Sequence, residues 1–484
     1  MLAQRKAVLL GTMAALLAAL RGWWTDPAWL DSSFLNFRYA RRISEHGTAL
    51  LLGQKEPLES FLNPLWVAIL SLLGRGGVHE MWMQPYVGAG LLGLLCGISV
   101  YWSVRHFSKW YSSLAVFMAF ALPPLASSAH SGGDHLFLAV LSLCAAISVS
   151  SDRIQNASSG RSVFWVGLLA LAGVGPLIMA IGLAVFQWRY DRRLVWAVSL
   201  SLVGMTLIRL MVFGQVVPHG PWVLASQANP ESFLVSLKLL PCASIVGLLG
   251  LIFSWRRGVM WSAPFVFGVS VWMVWALIGG NGSENFGSVL VPAWGFLAVG
   301  LGLVVETLFR RPWSFVVVLS LLCFDFRQTH GAQKSAVESR MSSFKQDKVM
   351  AKFLRWRFEG DALVVVQTPG VLPYFLGKRT FDLVGLTHSA STGQAFVQTL
   401  GAEAMVPDGV IVGMNPTRLS VTKGWDWKVL ANTHYQHAIK QSSQWKLTDY
   451  KGIWFNIYLR KDLEKYPPRW VEAYKKNKKQ QTSP

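Results

Sequence analysis

The chain has 484 residues, of which 52% are hydrophobic and 14% are charged. Soluble globular chains carry about 25% charged residues, so this chain has too little charge to coat a soluble surface. Its long apolar runs therefore predict a polytopic membrane protein. This composition excludes a cytosolic enzyme, a secreted disulfide scaffold and a disordered chain. The net charge of +20 suits anionic lipids or an anionic substrate. We expect no nucleic-acid partner, because much of the positive charge lies in short loops between apolar segments.

The apolar segments predict about 11 transmembrane helices. The first follows Arg5 and Lys6 and is expected to be an uncleaved helix, because Arg21-Gly22 is not a small-residue cleavage site. The four cysteines of the chain all lie in these segments and are expected to be buried free thiols. The segments are 7–24, 84–104, 110–129, 134–150, 162–174, 176–188, 194–213, 232–254, 259–279, 288–308 and 312–326.

The basic loops predict the orientation of these segments. Clusters such as Arg105/Lys109, Arg192/Arg193 and Arg310/Arg311 all fall on one side, and the positive-inside rule makes that side cytoplasmic. The N-terminus is then cytoplasmic, and the C-terminal region is extracytoplasmic. We expect a transmembrane domain over residues 1–326, including an exterior loop at 25–83, and an extracytoplasmic domain over 327–484. The predicted location is the bacterial cytoplasmic (inner) membrane.

Three apolar segments are too short to cross a hydrocarbon core about 30 Å thick. Segments 162–174 and 176–188 are interrupted by Gly173, Gly175 and Pro176. Broken helices at membrane depth usually line a cavity, because their freed backbone groups need partners. The third segment, 62–73, is expected to be an amphipathic helix on the membrane surface.

The C-terminal region predicts a small α/β domain with a basic tail. Residues 347–358 have helical periodicity, whereas 362–366, 410–412 and 453–459 have the composition of buried strands. The tail ends in Lys475, Lys476, Lys478 and Lys479.

Three exterior carboxylates are candidates for chemistry. Asp31 lies just beyond the first helix in an aromatic neighbourhood, which favours a raised pKa and general-base catalysis. A helix cap or a partner for Arg38 would explain it equally. Asp134 opens a predicted crossing, so it is expected to cap that helix or to face Asp31 across a cavity as a second acid or metal ligand. Glu59 is a third exterior carboxylate, or an ordinary solvated loop residue.

Arg209 and two exterior loops are the remaining candidates. Arg209 lies near the outer end of its segment, where an arginine either snorkels to the interface or binds an anion such as a lipid phosphate. Pro218-His219-Gly220 follows it. A flexible polar loop contains Asn281 and is either part of a site or a connector.

The residues from Asp31 to Trp66 resemble the first exterior loop of the GT-C glycosyltransferases, in particular the branch of the mycobacterial terminal arabinofuranosyltransferase. That branch has Asp-Asp-Ala-Phe-Ile-x-Phe-Arg-Tyr-Ala, then His-Gly, then Val-Glu-Gly-Tyr-Thr-Asn-Pro-Leu-Trp. In this chain the three elements occur in the same order and spacing. They are Asp31-Ser32-Ser33-Phe34-Leu35-Asn36-Phe37-Arg38-Tyr39-Ala40, His46-Gly47 and Leu58-Glu59-Ser60-Phe61-Leu62-Asn63-Pro64-Leu65-Trp66.

Weaker similarities extend the resemblance over nearly the whole chain. They are Ser131-Gly132-Gly133-Asp134-His135, Arg209 with Phe213-Gly214 and Pro218-His219-Gly220, Gly279-Gly280-Asn281, and Asp382-Leu383-Val384-Gly385-Leu386-Thr387. The chain departs from the branch at several charged positions. The second acidic residue of the opening pair is Ser32, a Gly-Gly-Asp aspartate is Asn281, and a charged pair between the short helices is replaced by Gly173-Val174-Gly175.

The resemblance implies sugar transfer from a polyprenyl-phosphate donor to an envelope glycan, lipid or protein acceptor, with inversion at the anomeric carbon. Asp31 would be the general base, and Arg209 with Arg38 would hold phosphate. Asp134, Glu59, His219 and Asn281 would complete the substrate-binding site. Some relatives use a divalent metal, but the sequence contains no convincing site for one. The neutral replacements favour an alternative, a non-catalytic protein that binds or handles lipid-linked sugars. A secondary transporter would predict inverted repeats, and the sequence contains none.

Overall fold

The computed structural model is mostly helical and forms two compact units, residues 1–49 with 59–341 and residues 50–58 with 342–484. The structure describes residues 2–25, 29–51, 59, 61, 63–77, 80–120, 125, 128, 129, 131, 132, 134–156, 159–218, 242–256, 260–279, 291–307, 316–325, 327, 334, 337, 338, 341, 344, 345, 347, 348, 351, 355, 363–366, 370–382, 409–413, 435–439 and 455–460.

The first unit is a bundle of apolar helices. Four described helices are long and apolar enough to cross a membrane, and they cover Gln4–Trp24, Tyr86–His106, Asp134–Gln155 and Arg193–Phe213. The chain is therefore a multi-pass membrane protein. The described helices of this unit are α1 (Leu2–Trp24), α2 (Asp31–His46), α3 (Pro64–Arg75), α4 (Glu80–His106), α5 (Trp110–Ala119), α6 (Asp134–Gln155), α7 (Gly160–Leu171), α8 (Val174–Gln187), α9 (Arg193–Phe213), α10 (Cys242–Arg256), α11 (Ala263–Gly279), α12 (Val291–Thr307) and α13 (Val316–Asp325).

Each of the 11 predicted apolar segments contains one of these helices. The number that crosses the membrane stays a prediction. α1, α9 and α13 expose large apolar side chains, including Leu16, Met211 and Phe324. In a membrane protein this surface faces lipid tails. Cys96 and Cys144 are buried free thiols as predicted, whereas the prediction was wrong for Cys323. Cys323 is exposed because it lies on the outward face of α13. The side chain of Cys242 lies outside the described residues.

Helix α2 is an element that the sequence analysis did not predict. All residues from Ser33 to Ala40 are buried, and their polar side chains do not follow a helical period. The helix ends at Gly47, whose φ of +67° suits the left-handed C-cap that glycine adopts without strain.

Glycines set the closest helix crossings. A Cβ on Gly93 of α4 would overlap the carbonyl oxygen of Ala15 in α1, and one on Gly97 would lie 2.8 Å from the carbonyl oxygen of Gly11. The bundle is thereby packed at backbone-to-backbone distance, as is common between membrane helices.

The two short helices α7 and α8 are separated at Gly173, which has φ +146°. A Cβ on Gly175 would lie 2.8 Å from the Trp275 ring, so α8 packs closely against α11. Whether these helices line a cavity stays a prediction.

One end of the bundle is fixed by contacts of α5, α6, α8 and α12 and of the residues that precede α5 and α11. Glu306 of α12 accepts hydrogen bonds from the Ser112 hydroxyl at 2.8 Å and the Ser108 backbone N–H at 3.0 Å. The Ser150 hydroxyl of α6 donates to the Trp261 carbonyl at 3.0 Å. The Arg153 guanidinium stacks on the Phe186 ring at 4.2 Å.

The second unit contains a five-stranded sheet with strand order β2-β1-β3-β5-β4. β1, β2 and β3 are parallel, whereas β5 is antiparallel to both of its neighbours. A short helix, α14 (Val371–Leu376), follows β1 and is capped at Gly377. The strands are β1 (Leu363–Val366), β2 (Arg379–Asp382), β3 (Gly409–Gly413), β4 (Tyr435–Ile439) and β5 (Phe455–Arg460).

Candidate functional site

The start of α2 lies against the residues that precede α6, at the end of the bundle opposite Glu306. The Leu30 N–H donates to the Ser131 carbonyl at 3.1 Å, and the Ser33 hydroxyl donates to the same oxygen at 2.5 Å. Gly132 has φ +128°, and a Cβ there would overlap the Ser33 side chain. Because α2 begins at Asp31 and α6 begins at Asp134, two helix N-termini converge here. Each N-terminus carries partial positive charge that favours an anion.

Asp134 is buried in this junction. Its Oδ1 accepts a hydrogen bond from the His135 backbone N–H at 2.9 Å. The His135 ring lies close to the same atom, with Nε2 at 3.9 Å. The predicted role of Asp134 as a helix cap stays a prediction, because its described hydrogen bond comes from the next residue and not from the second or third N–H of the helix. A role facing Asp31 is not tested, because the Asp31 side chain lies outside the described residues.

Glu59 and Arg209 form a buried ion pair across 150 residues of sequence. The Arg209 Nε donates to Glu59 Oε2 at 2.6 Å, and Nη2 donates to Oε1 at 3.2 Å. The side chains are 3% and 9% exposed, respectively. A bidentate pair of this kind is the strongest form of arginine–carboxylate contact. It connects the segment before α3 to the last turns of α9.

Burial is the largest influence on the Glu59 carboxyl and raises its pKa above the ordinary value. The hydrogen bond and the positive charge of Arg209 act in the opposite direction and offset part of that rise. Glu59 is therefore a carboxylate whose charge depends on its cation. If an incoming anion took Arg209, the Glu59 pKa would rise further.

The segment from Glu59 to Trp66, hereafter the bridging segment, contacts three helices. The Phe61 ring lies 4.9 Å from the Tyr39 ring of α2 and 6.0 Å from the Phe213 ring of α9, between centroids. The Trp66 ring lies 5.2 Å from the Phe137 ring of α6. This segment therefore connects the middle of α2, the first turn of α6 and the last residue of α9.

The described part of the bridging segment also contains buried donors that lack a partner. Asn63 caps α3 by accepting the Trp66 backbone N–H at its Oδ1, at 3.1 Å. Among the described residues, Asn63 Nδ2 and Trp66 Nε1 have no hydrogen-bond partner. Both residues lie in the motif between Asp31 and Trp66, but neither was predicted to have a role. The available signal was an N-cap residue, Asn63, followed three positions later by a tryptophan.

The structure pairs two of the predicted site residues, Glu59 with Arg209, and it places Asp134 at the start of α6, beside the start of α2. Arg38 is buried in the middle of α2. His219, Asn281 and the Asp31 side chain lie outside the described residues. Within the described part of the chain, three or more His, Cys, Asp or Glu side chains do not group as a metal site would require.

Comparison with solved structures finds this architecture in a known membrane protein. ArnT from Cupriavidus metallidurans bound to undecaprenyl phosphate matches with a TM-score of 0.55, over 93% of this chain and 97% of that chain. The chain has an ArnT-like fold. The apo structure of the same protein gives a TM-score of 0.54 over the same shares of the two chains. The identities are 12% and 14%, so the likeness to ArnT shows the fold alone. No protein-family model matches the sequence, and no curated protein sequence matches it.

Proposed function

We propose that the chain is a GT-C-type membrane glycosyltransferase. It transfers a sugar from a polyprenyl-phosphate-linked donor to an envelope glycan, lipid or protein acceptor at the outer face of the membrane. The observation that carries this proposal is the buried Glu59–Arg209 pair in an ArnT-like fold, on a segment that also contacts α2 and α6. ArnT binds undecaprenyl phosphate, and a buried arginine suits a lipid phosphate.

The proposed mechanism uses Asp31 as general base. Its carboxylate accepts the proton of the acceptor hydroxyl as that oxygen attacks the anomeric carbon from the face opposite the phosphate. The bond between the anomeric carbon and the phosphate oxygen breaks, and polyprenyl phosphate leaves with the bonding electrons. The configuration at the anomeric carbon is inverted.

Positive charge must stabilise the leaving phosphate. We assign this role to Arg209, with Arg38 as a second candidate. Arg209 is bound by Glu59, so the lipid phosphate would exchange with that carboxylate. Asp134 and Glu59 orient the acceptor or the base, and His219 and Asn281 complete the substrate-binding site.

Several finer features belong to the same proposal. The protein lies in the bacterial inner membrane with a cytoplasmic N-terminus and about 11 crossings. The residues divide at 326/327 into a transmembrane and an extracytoplasmic domain, the latter of α/β type. The relationship to the terminal arabinofuranosyltransferase branch rests on the motifs between Asp31 and Trp66.

A non-catalytic lipid-linked-sugar binder is the alternative. The specific observation in its favour is that Glu59 neutralises Arg209, the cation expected to stabilise the leaving phosphate. The neutral residues Ser32 and Asn281, at positions that are acidic in the resembling branch, also favour the non-catalytic alternative.

Turnover of a donor panel tests the proposal. Purified protein in nanodiscs is incubated with polyprenyl-phosphate sugars and candidate acceptors, and donor loss is followed by mass spectrometry. We expect wild-type turnover to fall by at least about 100-fold in Asp31→Asn, since a general base contributes that much or more. Glu45→Gln on the exposed side of the same helix should keep wild-type turnover. Binding without turnover would favour the alternative, and neither binding nor turnover would refute both functions.

A further inference from the structure

Two buried N–H donors of the bridging segment have no partner among the described residues. They are Asn63 Nδ2 and Trp66 Nε1, on side chains of residues that are 0% and 2% exposed. The identity of the free amide atom is fixed, because the other amide atom, Oδ1, accepts the Trp66 backbone N–H. Buried polar groups in folded proteins are almost always satisfied, so each exception needs an explanation.

The position of these donors points to a ligand. Asn63 follows Glu59 by four residues, and Glu59 holds Arg209. The Trp66 ring contacts Phe137, which lies in the first turn of α6, three residues beyond Asp134. The two donors therefore belong to a segment that binds Arg209 through Glu59 and contacts the first turn of α6 through Trp66.

The chemistry of the donors narrows the class of ligand. The Asn63 amide N–H and the Trp66 indole N–H are uncharged hydrogen-bond donors, so they require an oxygen or nitrogen acceptor on the ligand but provide no charge to bind an anion. A phosphate is better served by Arg209 and the helix N-termini. Hydroxyl and ring oxygens of a sugar are neutral acceptors, and pockets select sugars by such placed donors.

We infer that Asn63 Nδ2 and Trp66 Nε1 bind oxygens of the sugar carried by the lipid phosphate and thereby determine which sugar is accepted. This inference rests on the proposed function and adds a specificity site to it. Both donors are buried in the structure, and oxygens of the bound sugar would be their acceptors.

Conservative variants separate the two donors from the packing around them. Trp66→Phe keeps a ring against Phe137 and removes the indole N–H together with part of the ring volume, and the control below removes the same volume. Asn63→Thr keeps an N-cap oxygen and removes the amide N–H. Trp102→Phe is the matched control, because Trp102 Nε1 is also buried without a partner among the described residues but packs against Trp261 and His106 at the other end of the bundle.

The test measures the affinity of each variant for undecaprenyl phosphate and for undecaprenyl phosphate carrying a pentose or a hexose. We expect Trp66→Phe and Asn63→Thr each to weaken binding of the best sugar-bearing lipid by about tenfold, the worth of one well-made hydrogen bond. Binding of bare undecaprenyl phosphate should stay unchanged in both variants, and Trp102→Phe should match wild type with every lipid.

Three outcomes would overturn the inference. Equal weakening of the bare and the sugar-bearing lipid would assign the donors to the phosphate or to the fold. If Trp66→Phe and Asn63→Thr bind every lipid as Trp102→Phe does, the two donors are ordinary buried groups with no role in binding. If the wild-type protein binds all these lipids with equal affinity, it does not distinguish between sugars. The bare lipid reports on the proposed function separately, because failure of the wild type to bind it would count against lipid-phosphate chemistry altogether.

Discussion

The Glu59–Arg209 pair is the most demanding polar contact described in the structure. Two charges removed from water cost several kcal/mol each, and only good geometry offsets that cost. The bidentate contact at 2.6 and 3.2 Å provides such geometry. The pair is therefore not expected to be a source of stability. Its role is better explained as fixing the bridging segment to α9 or as positioning Arg209 to bind an anion.

Removal of Arg209 tests the dependence of Glu59 on its cation. We expect Arg209→Met to destabilise the protein by about 3 kcal/mol near neutral pH, because it leaves a buried carboxylate unpaired. Thermal unfolding in detergent, followed by tryptophan fluorescence, measures the effect. Arg161→Met is the control, since Arg161 is exposed and should change stability by no more than about 0.5 kcal/mol.

The same variant should show a pH dependence of known sign. The folded-state pKa of Glu59 is raised by burial, so the folded state binds this proton more tightly than the unfolded state. Its stabilising contribution is present at low pH and is lost as pH rises through the raised pKa. Because Arg209→Met removes the opposing influences, the defect should be larger at pH 8 than at pH 5. The double variant Arg209→Met/Glu59→Leu should recover stability and lose the slope, and a defect independent of pH would contradict this account.

At the scale of elements, the bundle depends on close approach between helix backbones. Gly93 and Gly97 of α4 meet α1, and Gly250 of α10 meets the backbone of Gly300 in α12. Apolar side chains gain little from association in lipid, so packing contacts decide which helices pair. Positions with no room for a Cβ thus specify the crossings.

A pair of alanine substitutions on α4 isolates this effect. A Cβ at Gly93 would overlap the Ala15 carbonyl, whereas a Cβ at Gly90 meets nothing within 4 Å. We expect Gly93→Ala to lower stability by about 1–3 kcal/mol, as overpacking does, and Gly90→Ala to leave it unchanged or slightly higher. The midpoint of thermal unfolding distinguishes the two variants. Equal midpoints would mean that the α1–α4 crossing tolerates separation.

At the largest scale, the described polar contacts of the first unit lie at two ends of the helix bundle, and the alternation of crossings stays a prediction. Ser108, Ser150 and Glu306 lie at one end of the bundle, whereas the bridging segment and the starts of α2 and α6 lie at the other. The basic loops predict that the first end is cytoplasmic. The candidate site would then open to the outer face.

Accessibility of single cysteines tests this topology. In a background without the native cysteines, Glu45→Cys on α2 and Arg193→Cys at the start of α9 are expressed separately. Both positions are exposed. A membrane-impermeant thiol reagent applied to spheroplasts should label position 45 and leave position 193 unlabelled until the membrane is permeabilised. The reverse pattern would invert the proposed orientation, and labelling of both would refute it.

The sequence by itself determined the membrane-embedded part of this protein. Whether an apolar run can leave water depends on its own length and composition, which is why each predicted segment contains a helix. The motifs between Asp31 and Trp66 also indicated which exterior residues to examine. These features are local, so they can be read without knowledge of the fold.

Only the tertiary structure decided the composition of the candidate site. Helix α2 is fully buried from Ser33 to Ala40 and mixes Asn36 and Arg38 with aromatic residues there, so polarity does not reveal this part of the helix as buried. The contacts of Ser33 with Ser131 and of Glu59 with Arg209 join residues 98 and 150 positions apart. No local pattern encodes such a pairing, because it depends on how the helices pack and on which side chains must share the little polar space inside a membrane bundle.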